Sequence, residues 1–235
     1  MNKLGVILTT ALLAFSQAAG ATKIGVLTWN GSEPRYAQDG LDAIRAELKK
    51  EGLDESKVSF VVEDSKGKKE NVPDNIAKLK AANVDIYLAL GTSALVPLAK
   101  EVTDKPVVFG VVYDPIGAKV AKSWESSGNN TTGSSTYVSY PNFLRRVIKR
   151  GGMKIKKVAV LYTAGEKNSE LQMAGVKEGE ADLGYQIVPI NLASPEDVAK
   201  LGKTLAASDA QLVVVTGSNV VSTNIAAIVE ATIKA

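Results

Sequence analysis

Short apolar runs rich in Val and Ile recur along this chain, at residues 24–27, 59–62, 86–90, 107–112, 158–162, 186–190 and 212–216. Each is too short for a buried helix and apolar on successive residues, so each reads as a strand covered on both faces. Between most of them lie stretches of helical period. Ala37, Leu41, Ile44 and Leu48 share one face, and Gly52 stops that helix. Leu95, Leu98, Ala99 and Val102 repeat the pattern, with Pro97 straining the first turns. Phe143, Leu144, Val147 and Ile148 form another stripe, entered by Pro141 and closed by Gly151. Ser194 caps a helix opened by Pro195, Glu196 and Asp197 and carrying Val198, Leu201 and Leu205. Val221, Ile225, Ile228 and Val229 predict one final helix. Repeated β-α-β units require a parallel sheet with helices on both faces, so the fold class is α/β.

The alternation breaks once. From Tyr113 to Tyr140 the chain is rich in Gly, Ser, Asn and Thr, which predicts the passage from one α/β lobe to a second. Residues 22–136 then form lobe one, with four strands, and residues 137–235 lobe two, with at least three. Residues 1–21 read as a secretory signal peptide. Lys3 supplies the positive start, an apolar stretch follows to Phe15, and Ala19-Gly20-Ala21 is a small-x-small cleavage site. No cysteine follows to carry a lipid anchor, so the mature chain is expected free in an exported compartment, the periplasm.

The chain has no cysteine and no histidine. That removes imidazole bases, thiolate nucleophiles, disulfides and Cys/His zinc sites. The formal charge of +3 is too small to argue for nucleic acid. Seven cations stand between Arg145 and Lys157, but no aromatic or groove-reading partners accompany them, so they read as a solvated helix end. There is no glycine-rich nucleotide motif, and no cofactor or metal is expected.

Open parallel sheets bind ligands at the carboxyl ends of their strands, so the residues after each run are the candidates. Gly91-Thr92-Ser93 opens a helix, where free N–H groups can hold an anion, or Thr92 or Ser93 simply caps it. Asp114 can hold an ammonium group, or make a turn before Pro115. Trp29 can stack on a flat ligand, or pack under its own loop. Asn168 with Ser169, and Ser218 with Asn219, are helix-end donors or caps in lobe two.

In order, Gly91-Thr92-Ser93-Ala94, Lys105-Pro106-Val107-Val108-Phe109, Tyr113-Asp114-Pro115-Ile116-Gly117-Ala118, Asn130-Thr131-Thr132-Gly133-Ser134, residues 157–162 and Asn168-Ser169-Glu170 resemble the ABC-transporter substrate-binding proteins of the tryptophan/tyrosine-binding type. The resemblance implies two Rossmann-like, periplasmic-binding-protein-like lobes that close on a small solute and pass it to a permease in the inner membrane. An aromatic amino acid is among the solutes it suggests. It implies that Thr92, Ser93 and Asp114 hold the polar end, that Asn168 and Ser169 close from lobe two, and that Trp29 or Tyr137 faces a ring. Where that family commonly has Thr-Asp-Asn, this chain has Thr216-Gly217-Ser218-Asn219, which removes one candidate ammonium partner. The family continues beyond the point matching Ala235, so the second lobe is expected to be incomplete.

The sequence-based expectation is therefore a monomeric solute-binding protein that makes and breaks no bond. A ligand sensor docking a receptor, or a fragment without present function, are its alternatives. An enzyme using Asp114 with Tyr113 or Tyr137 has no activated pair in the sequence to support it.

Overall fold

The computed structural model describes residues 21–30 and 38–235. The expected signal peptide, apart from Ala21, lies outside the described residues, as do Gly31, Ser32 and Ala37. The described chain divides into two compact units between Tyr137 and Val138, so Tyr137 groups with the first.

The first unit is built on five parallel strands in the order β2-β1-β3-β4-β5. They are β1 (Thr22–Thr28), β2 (Val58–Asp64), β3 (Ile86–Leu90), β4 (Val107–Val112) and β5 (Thr131–Ser135). The apolar runs explain the central strands: every residue of β3 is buried, and Ile24, Val26 and Leu27 are fully so. Helix α1 (Asp39–Lys50) packs Leu41, Ile44 and Leu48 against Ile24, Val26, Ile86 and Leu88. Asp39 and Asp42 in its first turn and Lys49 and Lys50 in its last complement the helix dipole. Helices α2 (Val72–Ala81) and α3 (Thr92–Glu101) bury Leu79, Leu95 and Leu98. Gly25 of β1 faces Val84 and Leu79, where a Cβ would crowd the Val84 methyls. Each fully buried Leu side chain contributes about 1.5–3 kcal/mol. Pro97 is carried inside α3 without ending it.

The expected four strands in lobe one are corrected to five. β5 is Thr-Thr-Gly-Ser-Ser, a polar edge strand with no apolar run to betray it. It pairs with β4 at Phe109↔Gly133, and a Cβ at position 133 would run into the Phe109 carbonyl oxygen and ring. The register shifts between Phe109 and Val112, where Val111 takes φ +57°. For a β-branched residue that is an outlier, and it marks a bulge that leaves Val111 exposed while Val112 and Tyr113 are both buried.

The second unit has three parallel strands, β6 (Lys157–Tyr162), β7 (Gln186–Asn191) and β8 (Leu212–Val215), in the order β7-β6-β8. Helices α4 (Tyr140–Gly151) and α5 (Lys167–Glu178) supply Leu144 and Val176 to one cluster with Val158, Val160 and Val214. α4 begins with Pro141 in its first turn and ends on Gly152 at φ +59°, the left-handed stop. The short α6 (Glu180–Leu183) follows α5. On the other face lies α7 (Pro195–Ser208), whose Val198, Leu201 and Leu205 meet Ala159, Leu161 and Ile190. The Asp197 carboxylate reaches back to accept the Ser194 N–H at 3.1 Å.

The single final helix expected from residue 221 onward is two, α8 (Asn219–Thr223) and α9 (Ile225–Lys234). The Asn224 side chain donates to the Val220 carbonyl at 2.8 Å at the break. Val221 and Ile228 enter the core, whereas Ile225 and Val229 are exposed. No helix among the described residues is long and apolar enough to cross a membrane.

Candidate functional site

Strand order locates the candidate site. In the first sheet the chain runs from β1 outward to β2, then crosses back to β3 and continues to β4. The loops leaving β1 and β3 therefore diverge, and such a switch point is where open α/β sheets bind ligands. Those loops carry Trp29 after β1 and Gly91-Thr92-Ser93 after β3. In the second sheet the same logic selects the loops after β6 and β8, which carry Asn168 and Ser169, and Ser218 and Asn219. An open groove of about 750 Å³ between α1 and β2 involves Val58 and Ser59. It lies at the opposite, amino-terminal end of β2 and so does not belong to this edge.

In the first unit the backbone does most of the building. Gly91 takes φ +95° to turn from β3 into α3, and no side chain caps the helix start. Thr92 is buried, and its hydroxyl accepts the Tyr113 N–H at 3.4 Å, tying the start of α3 to the end of β4. Ser93 beside it is half-buried. Asp114 Oδ1 accepts the Ile116 N–H at 3.0 Å and the Gly117 N–H at 2.8 Å, closing a turn around Pro115. Half-buried Trp29 has its carbonyl bonded by the Gly67 N–H at 2.7 Å.

Three aromatic rings cluster past the ends of β4 and β5. Tyr137 lies 5.5 Å from Tyr113 at 37° and 5.5 Å from Trp124 at 52°. Tyr113 is buried, but Tyr137 is 48% and Trp124 55% exposed. Ser135 fixes the cluster, donating from its hydroxyl to the Tyr113 carbonyl at 2.6 Å and accepting the Tyr137 N–H at 3.0 Å. Sequence reasoning did not single out Trp124. Its signal was an aromatic residue inside an otherwise polar, glycine-bearing loop.

In the second unit hydroxyls do the building. Ser169 and Ser218 are 0% exposed. Ser169 Oγ accepts the Thr163 N–H at 2.9 Å and pairs with Thr216 Oγ1 at 2.7 Å. Thr163 Oγ1 gives its one proton to the Leu192 carbonyl at 2.7 Å, so Ser218 is the donor in the 2.7 Å Ser218–Thr163 bond. Ser218 Oγ in turn accepts the Val221 N–H at 3.0 Å and caps α8. Both serines are thus committed inside the unit. Gln172 Oε1 accepts the Gly217 N–H at 2.5 Å and the Tyr140 hydroxyl at 3.3 Å. Burial pushes the Tyr140 phenol above its ordinary pKa.

Asn168 donates from Nδ2 to the Gly217 carbonyl at 2.6 Å, while its Oδ1 is enclosed and has no hydrogen-bond partner among the described residues. Asn219 donates its backbone N–H to Glu166 Oε2 at 2.8 Å. Desolvation pushes the Glu166 carboxyl pKa up, against the opposing bonds from Asn219. Sequence reasoning also passed over Glu166. It stood in the loop after β6, but its neighbour Asn219 comes from the loop after β8, and only the β6–β8 pairing brings them together.

This arrangement offers acceptors, helix ends and aromatic faces, which suit holding a solute. Among the described residues there is no cluster of three or more groups that could hold a metal ion.

Known proteins share this organisation. The family model described as ABC transporter substrate binding protein matches residues 34–235. A tyrosine-binding protein of Clostridioides difficile (strain R20291) is 27% identical over 146 residues, which cover 62% of this chain and 42% of that protein. This chain's match therefore spans less than half the length of that curated relative. The crystal structure of an ABC domain in complex with L-Trp from Streptococcus pneumonia superposes with a TM-score of 0.75 at 23% identity, covering 91% of this chain and 71% of the other. A conserved domain protein from Vibrio cholerae gives 0.77 at 23% identity, with coverage of 91% and 71%. At such identities the structures show the shared fold. The family match takes in every strand but β1, in line with the motif resemblance, and the chain belongs to the ABC transporter substrate binding protein family.

Proposed function

We propose that this chain is the periplasmic solute-binding component of an ABC-type importer. It is exported by residues 1–21, acts as a monomer, and hands a small solute, with aromatic amino acids the first candidates, to an inner-membrane permease. Hinge closure of its two lobes holds the solute, and no bond is made or broken. The observation that carries this reading is the pair of switch-point edges. Each presents polar loops and helix starts at strand carboxyl ends, in a chain of this family.

In this reading the amide groups of Thr92 and Ser93 receive the solute's carboxylate, while the Gly91 N–H stays on the Gly110 carbonyl at 2.9 Å. Asp114 supplies the turn and its second oxygen. Trp29 and Tyr137 face the ring, with Trp124 extending the surface beside Tyr137. In the second unit Asn168 and Asn219 offer their polar groups to the solute, and Ser169 and Ser218 hold the loops that carry them.

The two tryptophans, Trp29 and Trp124, are natural reporters. With excitation at 295 nm, titration with L-tyrosine or L-phenylalanine is expected to give a saturable change in emission. Trp29→Phe and Trp124→Phe assign it to one ring or the other. A cooperatively folded chain whose emission ignores every amino acid tried would contradict the proposal.

A further inference from the structure

Two acceptors, on Glu166 and Asn168, stand out at the switch-point edge of the second unit. Glu166 is half-buried, and its carboxylate is turned to the loop after β8, where Oε2 takes the Asn219 N–H at 2.8 Å. No cation forms an ion pair with it among the described residues. Its charged neighbours do not neutralise it. Lys167 is exposed, and Glu170 adds a negative charge while accepting the Gly165 N–H at 2.9 Å. Two residues along the chain, the enclosed Asn168 Oδ1 has no hydrogen-bond partner among the described residues.

The neutral donors nearby are already engaged: the Asn219 side chain, like its backbone N–H, bonds the Glu166 carboxylate. The Gly217 N–H goes to Gln172, the Ser218 hydroxyl to Thr163, and the Asn168 amide to Gly217. A carboxylate withdrawn from water normally has a counter-charge, because an uncompensated one costs at least as much as a buried polar group left unpaired. Here the described residues supply none. The missing complement is a positively charged group with several N–H donors. A primary ammonium has that chemistry, with one charge and three donors. A hydroxyl lacks the charge, and a metal ion would need a ligand cluster that the described residues do not contain.

We propose that Glu166 recognises a primary ammonium group of the bound solute, with Asn168 Oδ1, two residues along the chain, as a further acceptor. This rests on the solute-binding reading above and names the chemistry of one end of that solute. It also separates Glu166 from a residue that merely caps α8. A cap needs only an acceptor oxygen, whereas ammonium recognition needs the charge.

The test is calorimetric titration of the full chain with matched pairs differing only in the ammonium group. L-Tyrosine is set against 3-(4-hydroxyphenyl)propanoate, and L-leucine against 4-methylpentanoate. The amine-bearing member of a pair is expected to bind about 10- to 100-fold more tightly, the range of a charge-assisted hydrogen bond. Glu166→Gln keeps an acceptor for the Asn219 N–H and removes the charge. It is expected to melt no lower than the wild type and to abolish the preference within the pair. Equal binding of both members by the wild-type chain, a comparison that needs no variant, overturns the assignment of Glu166 alone. So does a Glu166→Gln chain that keeps the preference. A cooperatively melting chain that binds neither member of either pair, nor any other amino acid, overturns the solute-binding reading and this assignment together.

Discussion

At the ends of β1 and β3 the first unit is shaped by backbone: a left-handed Gly91, a bulge at Val111 and a turn closed by Asp114. At the ends of β6 and β8 the second unit is shaped by side chains, with Thr163, Ser169, Thr216 and Ser218 locked in one buried hydroxyl network. The two edges stand at the same place in the same kind of sheet. The comparison teaches that a polar residue in a switch-point loop is not thereby a ligand contact. In the second unit the hydroxyls hold the loops together, and the unmet capacity sits on Glu166 and Asn168. In the first unit the surface left over is a helix start and a set of rings.

The comparison can be broken or sharpened by mutation. The largest effects should not distinguish the units at all. Leu88 and Leu161 are both 0% exposed at the centre of their sheets, so Leu88→Ala and Leu161→Ala are each expected to cost about 2–5 kcal/mol in urea unfolding. A cost below about 1 kcal/mol at either would mean that its core is not packed as described.

The next effect should separate the units. Ser169→Ala strands the buried Thr163 N–H and removes a partner from Thr216, at about 1–3 kcal/mol. Asp114→Ala opens only a half-buried turn, at about 0.5–2 kcal/mol. Asp114→Asn, which keeps Oδ1, should cost less still. If Ser169→Ala proves neutral while Asp114→Ala is severe, the assignment of scaffold and surface is reversed.

The smallest effect is a pH dependence. The folded carboxyl of Glu166 has a raised pKa, so the folded state holds its proton at pH values where the unfolded chain has released it. Stability from this group therefore falls as pH rises from below the unfolded value of 4.5 through the folded one. Glu166→Gln should match the wild type in acid and equal or exceed it at neutral pH, as read from paired melts. The opposite trend would mean that the carboxylate has a cationic partner in the folded chain.

Much of the fold was legible because its strands are apolar on successive residues and its helices are not. What escaped had no such contrast. β5 is polar and sits at a sheet edge, and Gly133 is there for close approach to Phe109. Helix α2 follows a charged stretch that reads as loop, and its buried face includes Asn75, which bonds Ser65 at 3.3 Å. The break at Asn224 is local side-chain chemistry inside an otherwise continuous apolar period. At the site, sequence could nominate the loops, because the rule about strand ends needs only the order of elements. It could not say what Ser169, Ser218 or Glu166 does. Their partners, Thr216, Thr163 and Asn219, are 47, 55 and 53 residues away and arrive through strand pairing.

The central claim is that this chain holds a small solute. Its most direct test is a thermal melt of residues 22–235 against a panel of amino acids and their des-amino analogues. A ligand at 100 times its dissociation constant adds about 2.7 kcal/mol, which for a protein of this size is roughly 5–10 °C. The account predicts a cooperative melt raised by that amount by one class of amine-bearing solute. A cooperative melt that no member of the panel moves would contradict it.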